Sequence, residues 1–157
     1  MVNKVRLGSI LALFGSALTL VTAIYVFLSI LITEMQIQAF VIYNRPDYPS
    51  LNITVDYSLM IVEGIFVLVT SCIGMIGGFL ISKDIKAGAF ICLVIGIIIL
   101  VTAFIPIGYL PITMTGYTGY APIDPTIVTL GCTFILVDPI LTSIGGIIGY
   151  LGLKEQI

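Results

Sequence analysis

The chain has 157 residues, of which 59% are hydrophobic and only 9% are charged, and its net charge is −2 at neutral pH. Soluble domains carry about 25% charged residues, and so short a chain could not bury this much apolar surface in water. The small net charge and the lack of a basic stripe argue against nucleic acid as a partner. The lack of histidine excludes haem ligation by imidazole, most copper and zinc sites and Ser-His-Asp catalysis within the chain. We expect no metal site and no cofactor, and the partner that composition predicts is the lipid bilayer.

Four apolar segments follow one another along the chain, and each reaches about the 20 residues that a helix needs to cross hydrocarbon. The first segment is longer than the apolar core of a signal peptide, so we predict that it is a membrane helix as well. The sequence thus predicts an all-α, polytopic membrane protein, a single domain formed by a four-transmembrane-helix bundle. The predicted spans are residues 7–32, 59–81, 87–105 and 126–153.

Basic residues are distributed unequally between the two sides of these spans. Five of the six lie before the first span, between the second and third, or after the fourth, and only Arg45 lies elsewhere. The positive-inside rule makes the five-residue side cytoplasmic. We therefore predict a multi-pass protein of the cell membrane, or of an envelope derived from it, with both termini cytoplasmic and with outer loops at residues 33–58 and 106–125. The five basic residues are Lys4, Arg6, Lys83, Lys86 and Lys154.

Two pairs of segments repeat within the chain. Residues 20–23 recur as residues 100–103, an offset of 100 − 20 = 80, and residues 73–74 recur as 144–145, an offset of 144 − 73 = 71. Glycines match at both offsets. The pattern predicts a duplicated helical hairpin, a 2+2 parallel repeat of the kind found in some transporters. The alternative is that apolar spans resemble one another by composition.

Small residues recur at four-residue spacing and so lie on one face of their helices, where they allow a neighbouring helix to approach closely. Two interpretations stay open. These faces either pack the four helices together, or join the chain to other membrane subunits or to a second copy. The glycines concerned are Gly74, Gly78, Gly88, Gly96, Gly145 and Gly149.

Asp138 is the most unusual residue, because it lies near the middle of the fourth span and is followed by Pro139. A carboxylate at this depth is costly and is by default a functional hypothesis. Pro139 removes a backbone hydrogen bond, which predicts a kink. Asp138 is either a polar packing site, protonated and bonded to hydroxyls or to another subunit, or an ion or proton site. The candidate hydroxyls are those of Thr19, Thr22, Ser71 and Thr102.

Glu63 lies one turn inside the second span, where we expect it to be solvated near the outer interface. Asn52 begins an Asn-Ile-Thr sequon on the predicted outer side and is a candidate glycosylation site.

The second outer loop is rich in tyrosine, which indicates an interfacial belt or contacts with a partner. The three cysteines fall in apolar stretches, so we predict buried thiols rather than disulfides. The loop tyrosines are Tyr109, Tyr117 and Tyr120, and the cysteines are Cys72, Cys92 and Cys132.

The stretch from Gly77 to Gly88, Gly-Gly-Phe-Leu-Ile-Ser-Lys-Asp-Ile-Lys-Ala-Gly, leads into an apolar span. It resembles small uncharacterised prokaryotic, archaeal-like four-span membrane proteins over the two middle spans, and this resemblance implies no activity. The topology is similar to that of tetraspanins and claudins. The Cys-Cys-Gly motif of the former and the loop Trp and paired Cys of the latter are absent.

The sequence contains no phosphate-binding Gly-rich loop, no nucleophile with a base and no paired carboxylates on one helix. We therefore predict that the chain is not an enzyme, but a non-catalytic subunit or scaffold of a larger membrane assembly, including an accessory subunit of a membrane enzyme complex. One alternative is a small ion or proton channel or transporter that uses Asp138. A second alternative is a surface receptor or adhesion protein that acts through its outer loops.

Overall fold

A computed structural model describes residues 3–47, 52–102, 112–115 and 126–155; within these ranges the side chains of Leu59, of residues 112–115 and of residues 126–136 are not described. The described residues form four helices, as predicted, and two short strands, which were not predicted. The elements are α1 (Lys4–Asn44), β1 (Asn52–Val55), α2 (Ser58–Ser82), α3 (Lys86–Thr102), β2 (Ile112–Thr115) and α4 (Thr126–Lys154).

The four helices form a closed ring in which α1 and α3 each pack against both α2 and α4. Neighbouring helices are antiparallel. Along the α1–α4 contact, Gly8 lies against Gly149 whereas Gly15, two turns further on, lies against Thr142. This arrangement places α1 opposite α3 and α2 opposite α4 in the bundle.

The turn between α2 and α3 is fixed by a Schellman motif. The N–H of Ile85 donates to the carbonyl of Leu80, and the N–H of Asp84 donates to the carbonyl of Ile81, both at 3.0 Å. Asp84 has a φ of 59°, the left-handed conformation that Asp tolerates better than most residues. The chain therefore reverses within three residues, and α2 and α3 form a tight hairpin.

Helix α1 is much longer than the predicted first span, and the prediction that residues 33–44 belong to a loop was wrong. The helix runs to Asn44 and its 41 residues span about 60 Å. The apolar run ends near Ile32, but no further Gly or Pro occurs until Pro46. Arg45 still has helical φ and ψ and donates to the Val41 carbonyl, whereas Pro46 has no N–H to make the next helical hydrogen bond. Thr33 and Ile37 continue the buried face.

The two predicted outer loops are joined by a short ribbon. Strand β1 pairs antiparallel with β2, so that Asn52 is opposite Thr115 and Val55 is opposite Ile112. Both segments are rich in Thr, Ile and Val, which favour strands. The rest of the second loop, with its three tyrosines, lies outside the described residues.

The distribution of side chains between the inside and the outside of the bundle is the reverse of that in a soluble protein. Most buried residues of α1 are small or carry a hydroxyl, and Ser16 is only 1% exposed, whereas Phe14 is 58% exposed. On α3, Phe90 is 67% exposed. Large apolar side chains thus cover the outside of the described helices, and Gly, Ala, Ser and Thr dominate the interior.

The buried positions of α1 and α3 coincide at a fixed offset. Every buried residue of α3 lies 80 positions after a buried residue of α1, beginning with Gly8 and Gly88 (88 − 8 = 80). The buried residues of α3 are Gly88, Ala89, Cys92, Ile95, Gly96 and Ile99.

Among the described residues, two helices are long and apolar enough to cross a membrane, namely α1 (Lys4–Asn44) and the part of α2 at Met60–Ser82. Helix α3 is apolar but has only 17 described residues. The fold is therefore helical, with two helices whose length and composition suit a bilayer.

Candidate functional site

The candidate site is centred on Asp138, which lies on α4 at the contact with α1 and is 1% exposed. The contact is close because Gly15 of α1 has no side chain, and a Cβ atom at Gly15 would lie 2.8 Å from the carbonyl oxygen of Asp138. One turn along α4, the hydroxyl of Thr142 donates to the same carbonyl at 3.0 Å. Helix α4 continues past Pro139, which is fully buried beside Asp138.

The carboxyl group of Asp138 is hydrogen-bonded through only one of its oxygens. Thr22 Oγ1 lies 3.0 Å from Asp138 Oδ2 and 3.2 Å from the carbonyl oxygen of Leu18. Asp138 Oδ1 is buried and has no hydrogen-bond partner among the described residues. The site therefore contains one bonded and one unpartnered carboxyl oxygen inside the bundle.

The other three hydroxyls that the sequence offered to Asp138 bond elsewhere. Thr19 donates to the carbonyl of Gly15, Ser71 to that of Ser16, and Thr102 to that of Ile99. The Ser71 bond joins α2 to α1, and the other two stay within their own helices. Of the four candidates, Thr22 alone reaches the carboxyl group in the described part of the chain.

Glu63 does not join this site. It is half-buried in the second turn of α2, next to Gly64, whose missing side chain leaves room for the ring of Phe27 on α1. Among the described residues, no hydrogen bond or ion pair connects Glu63 to Asp138. The two carboxyl groups that the sequence analysis placed in predicted spans are therefore separate features.

The structure places all six glycines of the sequence analysis at contacts between helices of the bundle. On α2, Gly74 and Gly78 lie against Ser16 and Leu13 of α1. The remaining four contact neighbouring helices in the same way: Gly88 against α2, Gly96 against α4, Gly145 against α1, and Gly149 against α1 and α2. These faces are occupied within the chain, so they are not free to join another subunit.

Sequence reasoning missed Gly15 and Thr142 at the site itself. A signal was present, because the small residues of α1 alternate three- and four-residue spacings, as knobs in a closely packed helix pair do. Pairs of small residues exactly four apart make up only part of this stripe. Its members are Gly8, Ala12, Gly15, Thr19 and Thr22.

The cysteines only partly follow the prediction of buried thiols. Cys92 is buried, with Sγ 3.6 Å from the carbonyl oxygen of Gly74. Cys72 is exposed on the outside of α2, so the prediction was wrong for this residue. The side chain of Cys132 lies outside the described residues.

Asn52 is exposed in β1, and its glycosylation stays a prediction.

No group of three or more His, Cys, Asp or Glu side chains that could hold a metal ion occurs in the described part of the chain. What the Asp138 site offers chemically is a single carboxyl group with a hydroxyl beside it. Such a group can bind a proton, or a small cation when it is ionised.

Fold and site together define a helical bundle with a buried carboxyl group and two helices that could span a membrane. Comparison of the chain with protein-family models, with curated proteins and with solved structures gives no match. The resemblance to small four-span prokaryotic membrane proteins therefore stays a prediction, and function has to be argued from the chain itself.

Proposed function

We propose that the chain is an integral membrane protein of four spans that acts as a non-catalytic subunit or scaffold of a larger membrane assembly. The observation that carries the proposal is the inverted distribution of side chains in the bundle. Leu, Ile, Val and Phe cover the outside of α1, α2 and α3, and small or hydroxyl-bearing residues fill the inside.

This distribution is unfavourable in water and favourable in lipid. Soluble monomers rarely expose a contiguous apolar patch larger than a few hundred square ångströms. Lipid tails solvate large apolar side chains as well as a protein core does, so helices in a bilayer associate through close backbone contact and hydrogen bonds instead. Ser9 and Ser71 supply such bonds, donating to the carbonyls of Gly78 and Ser16 across the α1–α2 contact.

The arrangement of the helix ends supports the proposed orientation. Lys4 forms an ion pair with Glu155, and Val5 clusters with Ile81 and Leu153, so the start of α1, the end of α4 and the α2–α3 turn share one end of the bundle. That end carries five of the six basic residues. By the positive-inside rule it is the cytoplasmic end, and the β1–β2 ribbon is outside.

The coincident burial of α1 and α3 supports a duplicated hairpin as the origin of the fold. Burial recurs with the helical period in any packed helix, so the support comes from the agreement of the buried positions with the offset of 80 at which residues 20–23 and 100–103 are identical. The ring also places α1 opposite α3 and α2 opposite α4, as a two-fold axis along the bundle requires. We therefore propose that the two hairpins form a 2+2 parallel repeat.

Two measurements test this function. After an alkaline carbonate wash, the expressed chain should stay with membranes in a flotation gradient, and recovery in the aqueous fraction would contradict the proposed spans. After extraction in mild detergent, the protein mass of the particle should exceed that of one 16.9 kDa chain. A particle that contains only one copy would contradict the subunit role while leaving the spans intact.

A second candidate function, a small proton or ion channel or transporter, is favoured by the unpartnered oxygen of Asp138. The test is flux into liposomes that contain the purified chain. Asp138→Asn should abolish the flux, and Glu63→Gln, which changes the other carboxyl group of the predicted spans, should preserve it. Equal flux through the wild-type and Asp138→Asn chains would contradict this candidate.

A further inference from the structure

We infer that Asp138 and Thr22 form a proton-binding site inside the bundle, in which Asp138 is a neutral carboxylic acid at neutral pH. The inference names the ligand of the second candidate function and rests on it for its biological role. Its structural basis is independent of that role, because it comes from the hydrogen bonds and charges around the carboxyl group.

The hydrogen bonds at Thr22 are satisfied best when Asp138 carries a proton. The hydroxyl of Thr22 has one hydrogen but two acceptors nearby, the Leu18 carbonyl oxygen at 3.2 Å and Asp138 Oδ2 at 3.0 Å. If Asp138 is protonated, it donates to Thr22 Oγ1, and Thr22 donates to Leu18. Oδ2, Thr22 Oγ1 and the Leu18 carbonyl oxygen then all have a partner, and Oδ1, which still has no described donor, is the carbonyl oxygen of a neutral acid.

An ionised Asp138 would be poorly satisfied. The Thr22 hydroxyl would have to donate to the carboxylate instead of to the Leu18 carbonyl. Oδ1 would carry its share of the delocalised negative charge with no described donor. Thr142 cannot supply one in its present position, because it donates to the backbone carbonyl of Asp138. Burying a charge without a partner is far more costly than burying a neutral acid with one hydrogen bond.

No cation on any of the helices compensates for an ionised form. Helix α1 has no charged residue between Arg6 and Glu34, and α3 has only Lys86, at the cytoplasmic end. Helix α2 presents Glu63, which would add negative charge, and α4 carries no other charged residue before Lys154. The uncharged titratable residues of these helices are Tyr25 and Tyr43 on α1, Cys72 on α2, Cys92 on α3, and Cys132 and Tyr150 on α4.

A bound metal cation fits the site less well than a proton. Hard cations such as Ca²⁺ take about six to eight oxygen ligands, and the described surroundings of Asp138 provide only a few. A proton needs only one oxygen and one acceptor, which Asp138 and Thr22 supply.

Infrared spectroscopy of the chain in lipid vesicles at neutral pH distinguishes the two states of the carboxyl group. The wild type should show the carbonyl stretch of a protonated carboxylic acid, and this band should be lost in Asp138→Asn and retained in Glu63→Gln. If the wild-type spectrum instead has no such band and Asp138→Asn loses a carboxylate stretch, the inference is overturned.

Two further samples keep the test decisive if Asp138→Asn does not fold. In wild-type chain labelled with ¹³C-aspartate, the band should lie at lower frequency. In Thr22→Val the band should remain but move to higher frequency, because the protonated carboxyl group has lost its hydrogen-bond acceptor. A band that is insensitive to both changes would overturn the inference. A neutral Asp138 together with flux unaffected by Asp138→Asn would reject transport and leave the proton site standing.

Discussion

Gly8 is a residue at which α1 lies directly against the backbone of α4. A Cβ atom there would lie 2.6 Å from Gly149 Cα and 2.7 Å from the carbonyl oxygen of Gly145, so that any side chain would meet backbone. Backbone atoms of a packed helix cannot turn away as a side chain can. The contact therefore depends on the hydrogen atom that glycine has in place of a side chain.

Gly8→Ala should destabilise the bundle by about 1–3 kcal/mol, the usual cost of overpacking, although Ala favours a helix over Gly by about 1 kcal/mol. Gly64→Ala is the matched control, because the three atoms nearest to its Cβ all belong to the ring of Phe27, the closest being Cζ at 2.9 Å, and a side-chain ring can move. Thermal unfolding of both variants in the same detergent checks this. A Gly8→Ala chain as stable as Gly64→Ala would contradict the described contact.

Tyr57 reports on the junction between α1 and α2 at the ribbon end. Its hydroxyl donates to Glu34 Oε2 at 3.1 Å. Burial, followed by this hydrogen bond and the negative charge of Glu34, raises the pKa of Tyr57 to about 12. An ordinary tyrosine has a pKa of about 10. The folded chain thus holds the phenolic proton more tightly than the unfolded chain does.

The stabilisation linked to Tyr57 should be fully present below about pH 10 and should be lost as the pH rises through about 12. The ultraviolet absorbance of phenolate, taken as the difference between wild type and Tyr57→Phe, measures this titration directly. In Glu34→Gln the difference curve should move to lower pH. A Tyr57 that titrates like an ordinary tyrosine in the wild type would contradict the Glu34 contact.

At the scale of elements, apolar runs predicted the existence of the four helices but not the length of all of them. Helix α2 begins and ends within one residue of the predicted span, because Ser58 and Lys83 mark both the apolar run and the helix ends. At α1 the end of the apolar run and the end of the helix do not coincide. Glu34 and Gln36 end the apolar run but are good helix formers, so the helix continues to Asn44.

The ribbon was beyond sequence reasoning because its strands are four residues long and the two strands are far apart in the chain. Nothing in the segment at Asn52 indicates a partner at Thr115. Likewise, the sequence named Asp138 and a set of hydroxyls, but only the register of α1 against α4 selects Thr22 from that set. Pairings across the bundle depend on tertiary packing, which a single sequence does not specify.

Cysteine pairs test the ribbon. In a chain whose native cysteines are replaced, Thr54→Cys with Thr113→Cys should oxidise to a disulfide, because these positions are directly opposite. Asn52→Cys with Ile112→Cys is the control, because these positions lie three residues apart along the ribbon, about 10 Å. Mass spectrometry detects the loss of two hydrogens. Equal oxidation of the two pairs would contradict the register.

At the scale of the whole molecule, two features suit a bilayer. The bundle places five of its six basic residues at one end, and the outer surface of the described helices is apolar between the ends. The interior is held by backbone contacts and hydroxyl bonds, and the buried carboxyl group of Asp138 lies among them. The sequence predicted lipid as the surrounding solvent from composition alone. The structure adds which face of each described helix would meet the lipid.

The central claim, that these outer faces contact lipid, is tested most directly by spin labels on single cysteines in vesicles. At Phe14→Cys, Val21→Cys and Phe90→Cys, all on exposed apolar faces, collisions with lipid-soluble oxygen should exceed those with a water-soluble nickel complex. Asp84→Cys, in the exposed α2–α3 turn, should show the reverse order. If the nickel complex reached the three outer-face labels as readily as it reached the turn, these faces would be in water and the account would be wrong.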